Sequence, residues 1–469
     1  MHAGIYINMT EQIQGSKRSM AILTLLFFMW GFITCLNDIL IPHFKNSFSL
    51  SYFESSLVQF AFFGAYFIGS LIYFFISSSS GDPINRMGYR NGIIAGLFLS
   101  ALGAVMFYPA AQFVSYGFFL AALFILGLGF TLLQIAANPY VAILGPAETS
   151  SNRLNLAQAF NSFGTTIAPL LGGVLILGAA NSSEGVGTVR IPYLIFAGLF
   201  LALIVVFRFT HLPSFSNKEK VERGAPALRY PQLLFGIFAI FFYVGGEVST
   251  GSFLTSYAGL PSIGGYNPAQ ATAFVALYWG SLMIGRFTGA IRMFRITNVS
   301  KNFLIVAVPF IAFAFILSMI AWKGQSIQDM IPYSMCITIG IIAFFIAGAD
   351  ASRTLIVFSI FSIILLVIAL MSTGAIALWT VVSLGLYNSI MWPVIFTLAI
   401  RGLGPHTSQG SSLLVMAILG GALLPPLQGF LADKIGVHHS YIVPVISYLY
   451  LVFYGFKTRK IFRKIVVTA

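Results

Sequence analysis

Uninterrupted apolar stretches of about twenty residues recur along this chain and restrict it to structures that lie in lipid. Only 8% of the residues are charged, whereas soluble domains carry about a quarter. Lipid offers no hydrogen bonds to the backbone, so only helices and closed barrels can span it. The stretches lack the alternation of barrel strands and have the length of a spanning helix. The sequence therefore predicts an all-α membrane protein.

The apolar stretches predict fourteen spans, which one hydrophilic segment divides into two halves. The spans lie at about 20–43, 53–77, 91–112, 115–144, 154–179, 191–210, 232–258, 267–291, 303–322, 332–349, 354–372, 375–400, 409–430 and 440–456. The most hydrophilic connection follows the sixth span. We therefore predict an N-terminal six-helix bundle at 1–212, a cytoplasmic linker at 213–231 and a C-terminal bundle at 232–469.

The positive charges are distributed unevenly between the two sides of the predicted membrane protein. If the N-terminus lies inside and the spans alternate, all but four of the 25 Lys and Arg residues lie inside. This asymmetry follows the positive-inside rule and predicts that both termini are cytoplasmic. The net charge of +13 is then an orientation signal, and nucleic acid is not expected as a partner.

The two halves resemble each other. The string FGAYFIG at 63–69 resembles WGSLMIG at 279–285, and the proline of 138–140 matches that of 392–394 in its place along a span. The second pair is separated by about 38 residues more than the first. We therefore predict six plus six core spans, with a helical hairpin inserted at about 302–350. Parallel repeats of six spans are the architecture of the major facilitator superfamily.

The loop after the second span, residues 81–90 (GDPINRMGYR), resembles the signature G-x-x-x-D-R-x-G-x-R of that superfamily. Asn85 occupies the aspartate position. The resemblance implies a loop that holds helix ends together during the transport cycle, and a solvated basic loop is the alternative. The residues assigned to this conformational role are Arg86, Gly88 and Arg90, together with Arg286 of the weaker second-half counterpart.

Two acidic residues, Asp38 and Glu247, lie deep inside apolar stretches, each in the first span of its half. An ionised carboxylate at the centre of a bilayer costs at least about 2.5 kcal/mol, so it faces a cavity or a partner. Such a group can bind a proton or a sodium ion, and either residue is a candidate sodium site. The alternative is a structural carboxylate that backbone or amide neighbours satisfy.

Amide side chains recur at helical spacing in three of the predicted spans, and in two of these spans a proline follows. Amides offer both donors and acceptors, which suits a ligand rich in hydroxyl groups, and an indole can stack on a pyranose ring. Hydrogen bonds between helices and ordinary packing are the alternatives. The candidate sugar-binding side chains of this kind are Gln134, Asn138, Gln158, Asn161, Asn388 and Trp392.

Motifs of enzyme chemistry are not found in the sequence. It contains no P-loop, no H-E-x-x-H and no G-x-S-x-G. We therefore expect no enzymatic activity and no cofactor beyond a co-transported Na⁺ or H⁺, and transport has to draw on a gradient or run downhill. The two cysteines lie in apolar stretches and do not indicate a disulfide framework.

Five strings resemble the fucose–galactose–glucose permease family of the major facilitator superfamily. They are LNDILIPHF at 36–44, AANPYV at 136–141, RLNLAQAFNSFG at 153–164, NSIMWP at 388–393 and HTSQGS at 406–411. The resemblance implies two six-helix bundles around a central cavity and a sugar–cation symporter of the inner membrane. Asp38 corresponds to the family's essential carboxylate, and Gln158 and Asn161 correspond to its sugar-facing amides. Asn37 and Gln409, in the first and last strings, are added as candidate sugar-binding residues.

One departure bears on the co-transported ion. Proton-coupled fucose members carry a glutamate where this chain has Gln134, and a glutamine cannot titrate. Gln134 and the string YVGGEVS at 243–249 resemble the glucose/galactose branch, so sodium is favoured over protons. The expected partners are a small-molecule sugar and membrane lipid, without an obligate protein partner. The alternatives are a transporter-like sugar sensor and a carrier or exporter of another neutral polar solute.

Overall fold

The computed structural model describes residues 2–50, 52–172, 185–210, 224–294, 296–322, 324 and 326–468. Within these ranges the side chains are described except at 2–17, 37–39, 42, 45–46, 52–53, 55–56, 169–172, 185, 268–269 and 464–468.

The described residues form α-helices joined by short turns and 3₁₀ segments, and no strand occurs among them. The first eight helices are α1 (His2–Phe48), α2 (Tyr52–Ser80), α3 (Pro83–Met87), α4 (Tyr89–Val105), α5 (Phe107–Gln112), α6 (Tyr116–Ile143), α7 (Ser150–Gly172) and α8 (Arg190–Phe209). The next five are α9 (Pro231–Ala258), α10 (Pro268–Ala290), α11 (Asn298–Trp322), α12 (Tyr333–Ala347) and α13 (Ala351–Met371). The last five are α14 (Gly374–Asn388), α15 (Met391–Ile400), α16 (Thr407–Met416), α17 (Gly420–Ser440) and α18 (Ile442–Thr468).

Twelve stretches of the described residues are long and apolar enough to cross a membrane. Helices α7 and α18, which cover two of the predicted spans, are not among these twelve. The predicted all-helical membrane fold is confirmed. The number of fourteen spans is not established and stays a prediction.

Local sequence explains several helix starts. Asp82 caps α3 by accepting the backbone N–H groups of Ile84 and Asn85. Asn267 and Gln270 form a reciprocal capping box at the start of α10, and the Asp350 side chain accepts the N–H of Arg353 at α13. Each cap satisfies a donor that the first helical turn leaves free.

The helices form two compact units. Unit 1 comprises Met1–Pro146, Phe160–Arg229 and Gly402–Met416, and unit 2 comprises Ala147–Ala159, Tyr230–Arg401 and Ala417–Ala469. The unit boundary at Arg229 lies within the predicted linker. The segments 147–159 and 402–416 each belong to the unit opposite to that expected from chain order. The predicted halves and the compact units therefore differ at these two segments.

In unit 1, α4 packs against α6 and α8, and α2 packs against α6. Small residues allow these close crossings: a Cβ added to Gly129 would lie 2.5 Å from the Ser100 backbone nitrogen. Helices α1 and α7 also approach closely. A Cβ on Gly31 would lie 2.1 Å from the Asn161 carbonyl oxygen, and one on Gly164 would lie 2.3 Å from that of Phe28.

In unit 2, α9 packs against α15, α17 and α18, and α13 packs against α14 and α18. Helix α10 packs against α14 at Gly385, where an added Cβ would lie only 2.1 Å from the Tyr278 carbonyl oxygen. Helix α11 packs on α10, and α12 packs on α13 and α14. The crossing of α10 and α14 is central to the site described below because each helix carries part of it.

Candidate functional site

A buried carboxylate lies in the middle of α9. Glu247 is 9% exposed, and the hydroxyl of Tyr243, one turn earlier on the same helix, donates to its Oε1 at 2.6 Å. The same hydroxyl lies 3.1 Å from the carbonyl oxygen of Asn388. Glu247 was predicted from its apolar surroundings alone, and the structure adds the donor that faces it.

Two further tyrosines and an asparagine surround this carboxylate from α10, α14 and α18. The Tyr278 hydroxyl donates to the backbone carbonyl of Glu247 at 2.8 Å and accepts a hydrogen bond from Asn388 Nδ2 at 3.1 Å. The Tyr448 hydroxyl donates to Asn388 Oδ1 at 2.7 Å. We call Tyr243, Glu247, Tyr278, Asn388 and Tyr448 the Glu247 network. It lies entirely in unit 2.

Asn388 was predicted to bind sugar, and the structure places its side chain among tyrosines. Its side chain is fully buried, and both ends of its amide are engaged by tyrosines of the Glu247 network. Leaving a buried donor or acceptor without its hydrogen-bond partner costs about 1–3 kcal/mol. Asn388 therefore helps to hold the surroundings of Glu247 in place, and its contact with sugar stays a prediction. The sequence did not indicate this because the two tyrosines come from two helices that are distant along the chain, α10 and α18.

Arg286 lies within α10 and is buried, and its predicted conformational role stays a prediction. Its Nε donates to the carbonyl oxygen of Ser389 at 3.1 Å. Pro393, four residues after Ser389, has no N–H to donate to that carbonyl. The helix is interrupted between α14 and α15 at this point. Ser389 directly follows Asn388 of the Glu247 network. Arg286 thus supplies the hydrogen-bond donor that the interrupted helix lacks at Ser389, and its positive charge lies next to the network.

Gln158 and Trp392 are the remaining predicted sugar-binding residues in unit 2. The Gln158 side chain is buried, and its backbone carbonyl lies 3.5 Å from Nη1 of Arg286. The Trp392 ring stacks on Phe396, with centroids 5.0 Å apart and planes 14° apart. One face of the indole is therefore covered by protein.

Unit 1 contains the other predicted amides. Asn138 Nδ2 donates to the backbone carbonyl of Gln134 at 3.0 Å, while its buried Oδ1 has no partner among the described residues. Asn161 Nδ2 donates to the carbonyl oxygen of Phe27 at 3.0 Å. The Trp30 indole nitrogen lies 3.4 Å from the Tyr66 hydroxyl, and the Gln134 side chain is buried. The unpartnered acceptor of Asn138 is one polar atom that a ligand could satisfy.

Two predicted residues cannot be placed by their side chains. Asn37 and Asp38 lie in α1, but their side chains are outside the described residues. Their roles stay predictions. Among the residues that the structure does describe, no three His, Cys, Asp or Glu side chains come together as metal ligands.

Gln409 was predicted to bind sugar, and the structure gives its amide other partners. Its Nε2 donates to the Gly224 carbonyl oxygen at 3.0 Å and lies 3.3 Å from Ser77 Oγ, and its Oε1 accepts the N–H of Ala227 at 3.2 Å. Gln409 therefore ties the start of α16 to the end of α2 and to residues 224–227. The string HTSQGS could not indicate this because it does not show which segment of unit 1 lies beside it.

The loop at 81–90 contains a buried carboxylate that the sequence analysis did not single out. Asp82 Oδ1 accepts the Tyr73 hydroxyl at 2.6 Å and the N–H of Ile84 at 2.9 Å, and burial raises the pKa of the Asp82 carboxyl. The order Asp-Pro at a helix start is a recognisable signal for an N-cap and could have identified it.

The predicted loop residues lie around Asp82 in unit 1. Asn85 Nδ2 donates to the carbonyl oxygen of Pro405, Arg86 donates to that of Ser80, and Arg90 donates to that of Arg208. Gly88 has a φ of 82°, which favours glycine. The loop therefore bonds to backbone carbonyls of neighbouring segments, and its conformational role stays a prediction.

Comparison with known proteins extends these observations over nearly the whole chain. The sequence pattern of the Major Facilitator Superfamily matches residues 20–349. A glucose/galactose transporter of Brucella abortus biovar 1 (strain 9-941) is 44% identical over 439 residues, covering 92% of each chain. The L-fucose-proton symporter of Escherichia coli (strain K12) is 31% identical over 442 residues, covering 89% of this chain and 87% of that one.

A solved structure is similar in fold. The crystal structure of the E. coli fucose:proton symporter FucP matches with a TM-score of 0.75 and 27% identity, covering 95% of this chain and 99% of that chain. The similarity in sequence and in fold thus extends well beyond the five strings on which the family resemblance was based.

Proposed function

Because the chain belongs to the fucose–galactose–glucose permease family of the major facilitator superfamily, we propose that it imports a hexose in symport with a cation. The observation that carries this proposal is the buried carboxylate of Glu247 within its network of tyrosines. A titratable group in an apolar helix is costly, and membrane proteins keep such groups for ion and proton pathways.

Glu247 can couple the ion to the sugar through its charge. An ionised carboxylate in this setting is stabilised by a bound cation or neutralised by a proton, so occupancy shifts the balance between conformations. The positive charge of Arg286 lies next to the network and is expected to oppose cation binding, whereas the Tyr243 donor stabilises the ionised form of Glu247. We assign Glu247 and Asp38 to the cation and Asn388 to the orientation of Glu247.

The sugar is proposed to be of the glucose/galactose type, with fucose as the next candidate. The relatives named above support a hexose, and the amides of this chain suit hydroxyl groups. Uptake and binding of labelled glucose, galactose, fucose and N-acetylglucosamine by the purified protein in vesicles tests this. Accumulation of a hexose supports the proposal. Saturable binding without uptake would identify a sensor. Failure to take up or bind any hexose would indicate a carrier of another solute.

The side chains proposed to contact the sugar are Asn37, Gln134, Asn138, Gln158, Asn161, Asn388, Trp392 and Gln409. We expect Gln158→Ala and Asn161→Ala to weaken sugar binding by about 1–3 kcal/mol, or roughly five- to a hundred-fold, because each loses a buried hydrogen bond. Isothermal titration of the purified variants measures this.

A matched control separates ligand contact from helix packing, because the Asn161 amide also donates to the Phe27 carbonyl. Asn91→Ala removes an exposed amide that donates to the Met87 carbonyl at 2.7 Å, and it is expected to leave sugar affinity unchanged. Unchanged affinity in both Gln158→Ala and Asn161→Ala would remove these residues from the sugar site.

We further propose that α11 and α12 are a helix pair inserted into a core of six plus six spans. Unit 1 pairs α2 with α6, α4 with α6 and α4 with α8, and unit 2 pairs α10 with α14, α13 with α14 and α13 with α18. Matching these pairs makes α10 the counterpart of α2 and α13 that of α4. Helices α11 and α12 then have no counterpart among the described helices of unit 1. The proposed membrane is the bacterial inner membrane, with both termini cytoplasmic.

A further inference from the structure

The helix pair α11–α12 packs on the two helices that hold the Glu247 network together. Helix α10 carries Tyr278 and α14 carries Asn388, and these side chains share a hydrogen bond of 3.1 Å. We propose that α11–α12 acts as a buttress for this pair, and that Tyr333 of α12 is a positioning residue for the cation site. The inference rests on the coupling role proposed above for Glu247.

Tyr333 makes the polar contact between the pair and α10. Its side chain is fully buried, and its hydroxyl donates to Ser281 Oγ at 2.8 Å. Ser281 lies three residues after Tyr278, so both occupy neighbouring positions on one side of α10. The Tyr333 ring lies between Phe313 of α11, at 5.7 Å between centroids, and Trp379 of α14, at 6.0 Å. One side chain thus contacts three helices.

A second contact sets the distance between α12 and α14. A Cβ added to Gly340 would lie 2.3 Å from Cδ2 of Leu386, which precedes Asn388 by two residues. The absence of a side chain at Gly340 therefore lets α12 lie directly against α14. At the other end of α12, Arg292 Nη2 donates to the carbonyl oxygen of Phe344 at 2.8 Å. The buttress is fixed along its length by polar and steric contacts.

These contacts bear on the cation because the Tyr278 hydroxyl bonds both the Glu247 carbonyl and Asn388. A small rotation of α10 would lengthen the hydrogen bonds of that hydroxyl. Tyr333 opposes such a rotation through Ser281, one turn away. Loss of the Tyr333 hydroxyl is therefore expected to alter the cation site without removing any residue from it.

The variant Tyr333→Phe tests the inference because it keeps the ring and removes only the hydroxyl. In proteoliposomes that contain the full-length protein, we expect the cation concentration for half-maximal stimulation of sugar uptake to rise about two- to ten-fold, as the loss of one hydrogen bond predicts. Sugar exchange in the absence of a gradient is expected to remain within about twofold of wild type.

Tyr454→Phe is the matched control. Tyr454 is also buried in unit 2 and donates to a backbone carbonyl, that of Gln232 at 3.0 Å, but it joins α18 to the start of α9. It is expected to leave the cation dependence unchanged. Equal cation dependence in Tyr333→Phe and Tyr454→Phe would overturn the inference.

Ser281→Ala removes the other side of the same contact and provides an independent measurement if Tyr333→Phe inserts poorly. We expect it to raise the half-maximal cation concentration similarly, and the double variant to be no worse than either single one, because all three lose one shared bond. Additive effects would show that the two residues act separately and would overturn the proposed link. If wild-type uptake is insensitive to both Na⁺ and H⁺, the proposed coupling fails, and this inference falls with it.

Discussion

Asp38→Asn and Glu247→Gln are each expected to abolish uphill accumulation of sugar while leaving exchange of sugar across loaded vesicles. Both changes keep the size of the side chain and remove its charge and its titration. In Glu247→Gln the amide oxygen can still accept the Tyr243 hydroxyl, so the surrounding helices keep their contacts. Exchange requires only that the loaded carrier reorients, whereas accumulation requires the ion gradient.

The measurement is the ratio of internal to external sugar under a tenfold cation gradient. Coupling to one cation per sugar supports a ratio of up to about ten, since each factor of ten corresponds to about 1.4 kcal/mol. Both variants are expected to stop near one. Asp350→Asn is the control, because it makes the same chemical change at an exposed helix cap and keeps an acceptor for Arg353 N–H. If either variant accumulates sugar as the wild type does, that residue is not required for coupling.

Gly385→Ala is expected to be strongly damaging because it adds a methyl group where α10 and α14 cross at the Glu247 network. The new Cβ would lie 2.1 Å from the Tyr278 carbonyl oxygen, and a backbone atom cannot move aside as a side chain can. Helices α10 and α14 would have to separate, which would also lengthen the Tyr278–Asn388 hydrogen bond. We expect the free energy of unfolding to fall by about 1–3 kcal/mol and cation-driven uptake to be lost.

Gly198→Ala provides the comparison. This glycine is exposed on α8, and an added Cβ would meet nothing within 4 Å. Alanine is favoured over glycine inside a helix by about 0.5–1 kcal/mol, so this variant is expected to be slightly more stable than wild type. Thermal unfolding of the purified proteins in detergent compares the two. Equal stability of the two variants would contradict the close crossing of α10 and α14.

The membrane fold could be predicted from the sequence because apolar length and charge placement are both local properties. Twenty apolar residues define a helix in lipid whatever surrounds them. The contact pattern that distinguishes α11 and α12 could not be predicted in the same way. It depends on which helices pack together, and the sequence offered only the spacing between two weak repeats.

The site was predictable where a residue is unusual in its own surroundings. Glu247 is charged in an apolar helix, and that alone identified it. Asn388 and Gln409 are common polar residues whose roles depend on distant partners, Tyr448 on α18 in one case and Gly224 in the other. The sequence could therefore not predict these contacts, and the sugar-binding roles of both residues stay predictions.

Arg286 illustrates the same limit. Its role depends on the carbonyl of Ser389, which Pro393 leaves without an N–H partner. The sequence shows the proline and predicts the free carbonyl. It does not show that an arginine more than a hundred residues earlier supplies the donor. Only the packing of α10 against α14 brings them together.

Transport by the wild-type protein under imposed gradients tests sugar–cation symport most directly. Proteoliposomes are given labelled glucose or galactose with an inward Na⁺ gradient at equal pH, with an inward H⁺ gradient without sodium, or with no gradient. We predict transient accumulation above the external concentration in the sodium arm and its collapse when an ionophore dissipates that gradient. Accumulation in the proton arm alone would still support symport but would identify the proton, rather than sodium, as the co-transported ion. Simple equilibration of the sugar in all three arms would contradict symport.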